Sequence, residues 1–120
     1  MKPIQVLIVD EDPRVRAQLS RLLTLRGCIV QTASNAAKAS EFPAGFQPSL
    51  VLVDMRLAPL SGTVLGQEAN IPVVVMGPEH EAQRCAAEIG AAGFLPKPVQ
   101  VSRLLACVQI PDRDDSTSAA

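Results

Sequence analysis

The residues of this chain whose types and positions could do chemistry are Asp10, Glu11, Asp12, Asp54 and Lys97. Each group stands where an apolar run stops: Val6-Leu7-Ile8-Val9 leads into Asp10-Glu11-Asp12, Leu50-Val51-Leu52-Val53 into Asp54, and Gly93-Phe94-Leu95-Pro96 into Lys97-Pro98. In an open parallel sheet, ligands and reacting groups gather at the carboxyl ends of the strands. If the three runs are parallel neighbours, carboxylates and one ammonium from distant parts of the chain meet at one edge. Two carboxylates about 4 Å apart repel by roughly 4 kcal/mol at an effective dielectric near 20. A cluster of Asp10, Glu11 and Asp54 therefore requires a cation or raised pKa values. Mg²⁺ suits such a cluster, being a hard ion that takes oxygen ligands, keeps several waters and bridges to phosphate oxygens.

The rest of the chain must position those groups. Its 120 residues make one domain, 48% apolar but only 2% aromatic, so Leu, Val, Ile and Ala do the packing. A net charge of -1 gives no basic face for nucleic acid. Cys28, Cys85 and Cys107 are odd in number, widely spaced and set in apolar surroundings, which predicts free thiols in a reducing cytoplasm rather than a disulfide framework or zinc site. No apolar run approaches the roughly 18 residues of a membrane span, and Met1-Lys2-Pro3 leads into a strand rather than a signal peptide.

The pattern alternates strand and helix. A strand over residues 4–9 is followed by a helix with Asp12 as N-cap and Pro13 at its first position, with Val15, Leu19, Leu22 and Leu23 facing inward and Gly27 ending it. A strand near 28–32, an Ala-rich helix over 35–41 and a strand ending at Asp54 come next. After a loop through Pro59, Ser61 and Gly62, only residues 63–70 are left for a third helix. A strand over 73–76 ends at Gly77-Pro78, a helix spans 79–89 with Ala82, Cys85, Ala86 and Ile89 inward, and a strand spans 93–96. The last helix, 101–109, buries Leu104, Leu105 and Val108 and stops before Pro111. Five such units predict an α/β fold, a single doubly wound five-stranded parallel sheet of flavodoxin-like (βα)5 type over residues 1–110. The polar stretch 111–120 reads as a disordered tail or linker.

With its acid pair, the Asp54 run followed by Gly62, and Gly90-Ala91-Ala92-Gly93-Phe94-Leu95-Pro96-Lys97-Pro98, the chain resembles the receiver domain of two-component response regulators over about residues 4–110. The resemblance implies a signalling module rather than an enzyme. In it, Asp54 accepts a phosphoryl group from a sensor histidine kinase or phosphotransfer protein, forming an aspartyl phosphate. Glu11, Asp54 and the backbone carbonyl of Arg56 would bind Mg²⁺ directly, Asp10 through water, and Lys97 would pair with the phosphoryl oxygens. Gly77, Phe94 and Pro98 fall at switch positions, and the Lys97-Pro98 peptide is expected to be cis. The state would pass on through the face of the last two helices and the fifth strand, to an output domain or a second copy.

Two departures make this an atypical receiver. The family's fourth strand ends in Ser or Thr followed by a small residue whose amide faces the phosphoryl group, whereas here stand Gly77, with no hydroxyl, and Pro78, with no N–H. The third helix is also short, and Ala58-Pro59 puts the proline one position later than usual. Charge-assisted hydrogen bonds contribute about 1.5 to 3 kcal/mol each, so the phosphorylated state is expected to lack part of its usual stabilisation. The alternative is a pseudo-receiver, a protein-interaction module independent of phosphorylation. A hydrolase of haloacid-dehalogenase type, superficially suggested by Asp10-Glu11-Asp12, needs a Ser or Thr closing a middle strand and usually a cap domain, and this chain has neither.

Overall fold

The computed structural model describes residues 3–41, 43–58 and 71–109. Five strands run in parallel in the order β2-β1-β3-β4-β5. β1 is Gln5–Val9, β2 Ile29–Ala33, β3 Leu50–Asp54, β4 Val73–Gly77 and β5 Gly93–Pro96. The described helices are α1 (Pro13–Leu25), α2 (Ala36–Ala39), α3 (Glu79–Ile89) and α4 (Val101–Cys107). The expected short helix over 63–70, the loop through Pro59, Ser61 and Gly62, and the polar stretch 111–120 lie outside the described residues.

The inner strands β1, β3 and β4 are almost wholly apolar, because helices cover both faces of the sheet. Alternation along each strand divides the residues between two cores. Val6, Ile8, Leu50, Leu52, Val74, Met76 and Leu95 pack with Leu19 and Leu23 of α1 and Leu104 of α4. Leu7, Val9, Val51, Val53, Val73 and Val75 pack with Ala39 of α2 and Ala82 and Ala86 of α3. The doubly wound architecture follows from this division.

Local signals place the helix ends. The Asp12 carboxylate accepts a hydrogen bond from the Arg14 amide at 2.9 Å and starts α1, with Pro13 in the first turn. Gly90 closes α3 in the left-handed region, φ 71°, a conformation glycine adopts without a Cβ clash. β3 ends at Asp54, as expected, where pairing with β4 sets Asp54 opposite Met76. Some boundaries differ from expectation by a residue or more. β4 continues through Gly77, opposite Pro96. α2 is four residues rather than seven, capped by Asn35 and closed where the Ser40 hydroxyl donates back to the Ala37 carbonyl. α4 stops at Cys107, two residues early, as Gln109 turns to φ 57°.

Candidate functional site

The two-residue period of a strand decides what meets at the carboxyl edge. Asp10 continues the row Val6, Ile8; Asp54 continues Leu50, Leu52; Lys97 continues the row of Leu95. All three rows face α1 and α4, so the three polar side chains leave the sheet on one side. Asp10 is fully buried and Asp54 is 3% exposed. Lys97 bridges them, its Nζ donating to Asp10 Oδ2 at 2.7 Å and to Asp54 Oδ2 at 2.6 Å. The peptide after it, Lys97-Pro98, is cis.

The remaining carboxylate oxygens are occupied as well. Asp10 Oδ1 accepts the Asp12 amide at 2.9 Å. Asp54 Oδ1 accepts the Arg56 amide at 2.9 Å and Arg56 Nε at 3.1 Å. Arg16, one turn into α1, donates through Nη1 to the Asp10 carbonyl at 2.6 Å and the Glu11 carbonyl at 3.1 Å, tying the loop of the acid pair to the helix. No buried side-chain polar atom is left without a partner among the described residues.

Burial alone would push the Asp54 carboxyl up, but hydrogen bonds from Lys97 and Arg56, with the Lys97 charge, outweigh it and hold the carboxyl below its ordinary value. Burial likewise pushes Lys97 down, and hydrogen bonds to Asp10 and Asp54 more than reverse this. Of the two ways to keep clustered acids together, this site uses cations. Two buried carboxylates face one ammonium and one guanidinium, which favour Asp54 in its carboxylate form.

The end of β4 is different in kind. Gly77 continues the row Val73, Val75 toward α2 and α3, and Met55, which follows Val51 and Val53, packs on that same side. A Cβ on Gly77 would stand 2.8 Å from Met55 Sδ and 3.0 Å from its Cγ. The room a larger residue would need is thus taken by a thioether. Pro78 then begins α3 as its N-cap with no side-chain capping bond.

A buried acid at the end of a central parallel strand, bridged to a second acid and a lysine across the sheet, is the arrangement the sequence motifs implied. The model of the response regulator receiver domain matches residues 6–109. The chain belongs to the response regulator receiver domain family. Response regulator MprA of Mycobacterium sp. (strain KMS) is 30% identical over 111 residues, covering 87% of this chain and 48% of that protein. The chain therefore spans about half the length of the curated relatives it matches. Among solved structures, the receiver domain of NtrX from Brucella abortus superposes with a TM-score of 0.75 at 24% identity, covering 87% of this chain and 94% of that one. A response regulator from Burkholderia pseudomallei, solved with a phosphorylated aspartic acid, a calcium ion and citrate, gives a TM-score of 0.68 at 22% identity over 97% of this chain and 71% of that one. These structural likenesses show the doubly wound fold.

In this receiver domain of two-component signalling, Asp10, Asp54 and Lys97 converge, whereas Glu11 points to solvent and Asp12 serves as a helix cap. Phe94 is half-buried against the α3 side of the sheet, and His80 is exposed in the first turn of α3. All three cysteines are free, with Cys28 buried. Burial raises the thiol pKa of each, so none is an activated nucleophile. Sequence reasoning assigned Arg56 only a backbone role and passed over Met55 and Arg16. The one available signal was the Gly77 that makes room for Met55.

Proposed function

We propose that this receiver domain accepts a phosphoryl group on Asp54 from the phosphohistidine of a sensor histidine kinase or phosphotransfer protein, in a Mg²⁺-dependent reaction, and relays that state by protein contacts. The observation that carries the reading is the bridge from Lys97 to both Asp54 and Asp10 at 2.6 and 2.7 Å, with Asp54 held as a carboxylate. In the step, a carboxylate oxygen of Asp54 attacks phosphorus and an O–P bond forms. The P–N bond to the donor imidazole breaks, and its electron pair stays on nitrogen. Lys97 transfers its hydrogen bonds from the carboxylates to the incoming phosphoryl oxygens, and Asp54 supplies the nucleophile without first losing a proton.

The donor set fits Mg²⁺. Its side-chain members are hard oxygen anions, the ligands that Mg²⁺ takes while keeping several waters. Asp10, Glu11, Asp54 and the Arg56 carbonyl would hold it. When bound there, the ion would supply positive charge to offset that of the phosphoryl oxygens and of the acids that Lys97 leaves. Incubation with Mg²⁺ and acetyl phosphate, read by intact mass, is expected to add one phosphoryl group, and Asp54→Asn to abolish the addition. No uptake by the unaltered protein would remove the reading.

The proposal extends to the surroundings of the domain. Residues 1–110 form the receiver and 111–120 a tail or linker, in a cytoplasmic module; no described helix is long and apolar enough to cross a membrane. Its output passes through the face of α3, β5 and α4, to an output domain or a second copy. A pseudo-receiver reading is favoured by one observation, the Met55 side chain over Gly77 where a hydroxyl-bearing residue would stand. It predicts partner affinity unchanged by Asp54→Ala; a tenfold loss would exclude it.

A further inference from the structure

At the end of β4, Gly77 has no hydroxyl and Pro78 no N–H to offer an added anion, and the Met55 thioether lies 2.8 Å from where a Gly77 Cβ would stand. A charged donor stands on the opposite flank. Arg56 anchors itself twice on Asp54 Oδ1, through its amide at 2.9 Å and through Nε at 3.1 Å. Its side chain is 61% exposed, and its Nη groups make no hydrogen bond among the described residues. Lys97, 23% exposed, holds the other oxygen. Asp54 thus lies between a mostly enclosed ammonium and an open guanidinium whose planar fork matches phosphate geometry.

We propose that the Arg56 side chain is a catalytic residue of this receiver, gripping the phosphoryl group through Nη in place of the absent hydroxyl and amide. This rests on Asp54 being the phosphoacceptor. With acetyl phosphate, the Asp54 O–P bond forms while the bond from phosphorus to the acetate oxygen breaks, its electron pair leaving with acetate. Charge arrives beside a guanidinium already held in position by Asp54 itself, and the open Nη groups take the phosphoryl oxygens. A donor tethered to the neighbouring backbone needs little reorganisation to do so.

The test measures two quantities in Mg²⁺: the rate of phosphoryl uptake from acetyl phosphate, and the affinity for beryllium trifluoride, a phosphoryl mimic that needs no turnover. Arg56→Ala is expected to lower both about tenfold, the size of one charge-assisted hydrogen bond discounted for solvent. Arg56→Lys should recover part, as a point charge without the fork. In a Met55→Ala, Gly77→Ser background, where the hydroxyl returns with room to stand, Arg56→Ala should cost at most about threefold, since a second donor now shares the task. Uptake and mimic affinity within twofold of the unaltered protein in Arg56→Ala would overturn the assignment while leaving Asp54 as acceptor. Equal losses in Ala and Lys, with no rescue by the serine background, would also overturn it, reducing Arg56 to a structural contact. An unaltered protein that takes up no phosphoryl group removes both readings together.

Discussion

Two corners of the same sheet edge are built on opposite principles. At the ends of β1, β3 and β5, Asp10, Asp54 and Lys97 are buried or half-buried and interlocked, with every carboxylate oxygen accepting a hydrogen bond. At the end of β4, one strand away, Gly77 offers no side chain and Met55 covers it with sulfur and methylene. Under the proposed function the first corner binds the phosphoryl group, while the second has little with which to sense one. A ligand shifts a conformational equilibrium only by as much as it interacts differently with the two states. On that reading capture and readout rest on separate residues, and substitutions can address one without the other.

The largest effect is expected at the polar corner. Lys97→Met removes the cation between two buried carboxylates and leaves them facing each other, a change that costs about 3 kcal/mol where a buried pair loses one partner. Urea unfolding at neutral pH without metal checks this, and adding Mg²⁺ should return part of the loss. Asp10→Asn in the same background should also recover stability, because it removes the repulsion that the lysine had masked. A loss below about 1 kcal/mol would mean that the pair behaves as an exposed surface bridge.

At the apolar corner the expected effect is smaller and of another kind. Gly77→Ser forces a Cβ to within 2.8 Å of Met55 Sδ, and overpacking of this sort costs about 1 to 3 kcal/mol. Since the clash is with a flexible thioether, the low end applies. Met55→Ala alone loses buried apolar surface, yet combined with Gly77→Ser it should be less damaging than the sum of the two. A double-mutant cycle by urea unfolding reads the coupling directly. Strict additivity would show that Met55 moves aside freely and that the glycine is not there for its sake.

The same contrast separates what was legible in the sequence from what was not. Strand period and punctuation were enough for Asp10, Asp54 and Lys97 to be placed together, since each extends an apolar row of known direction. α3 and β5 matched residue for residue because Pro78, Gly90 and the Lys97-Pro98 step mark their ends. β4 ran one residue further than the apolar run, as inter-strand pairing rather than hydropathy ends a strand. The early stops of α2 and α4 depend on a serine bonding back to its own helix and on a left-handed glutamine, neither of which has a strong sequence signal. Arg56, Met55 and Arg16 escaped for a related reason. Where their side chains go depends on the turn after β3, on the neighbouring β4 and on a reach back of six residues along the chain.

The smallest effect is confined to acid and sharpens the comparison through its sign. The folded state holds the Asp54 carboxyl below its ordinary value, because hydrogen bonds from Lys97 and Arg56 outweigh burial. The unfolded chain therefore binds a proton more readily than the folded one, and the stabilisation is complete above the unfolded value and lost as pH falls through the folded value. For Lys97, raised by the same contacts, the contribution is complete below the ordinary lysine value and lost only as pH rises through its higher folded value. Between these limits, which include neutral pH, the polar corner should add no slope. Stability of the unaltered protein minus that of Asp54→Asn, measured by urea unfolding across the acid range, should shrink toward low pH and flatten above it. The same subtraction for Gly77→Ser should be level throughout, as no group that titrates there takes part. An acid slope unchanged by Asp54→Asn would show that other carboxylates set it and that the Lys97 bridge contributes little, and a sloping Gly77→Ser difference would show that the two corners are not independent.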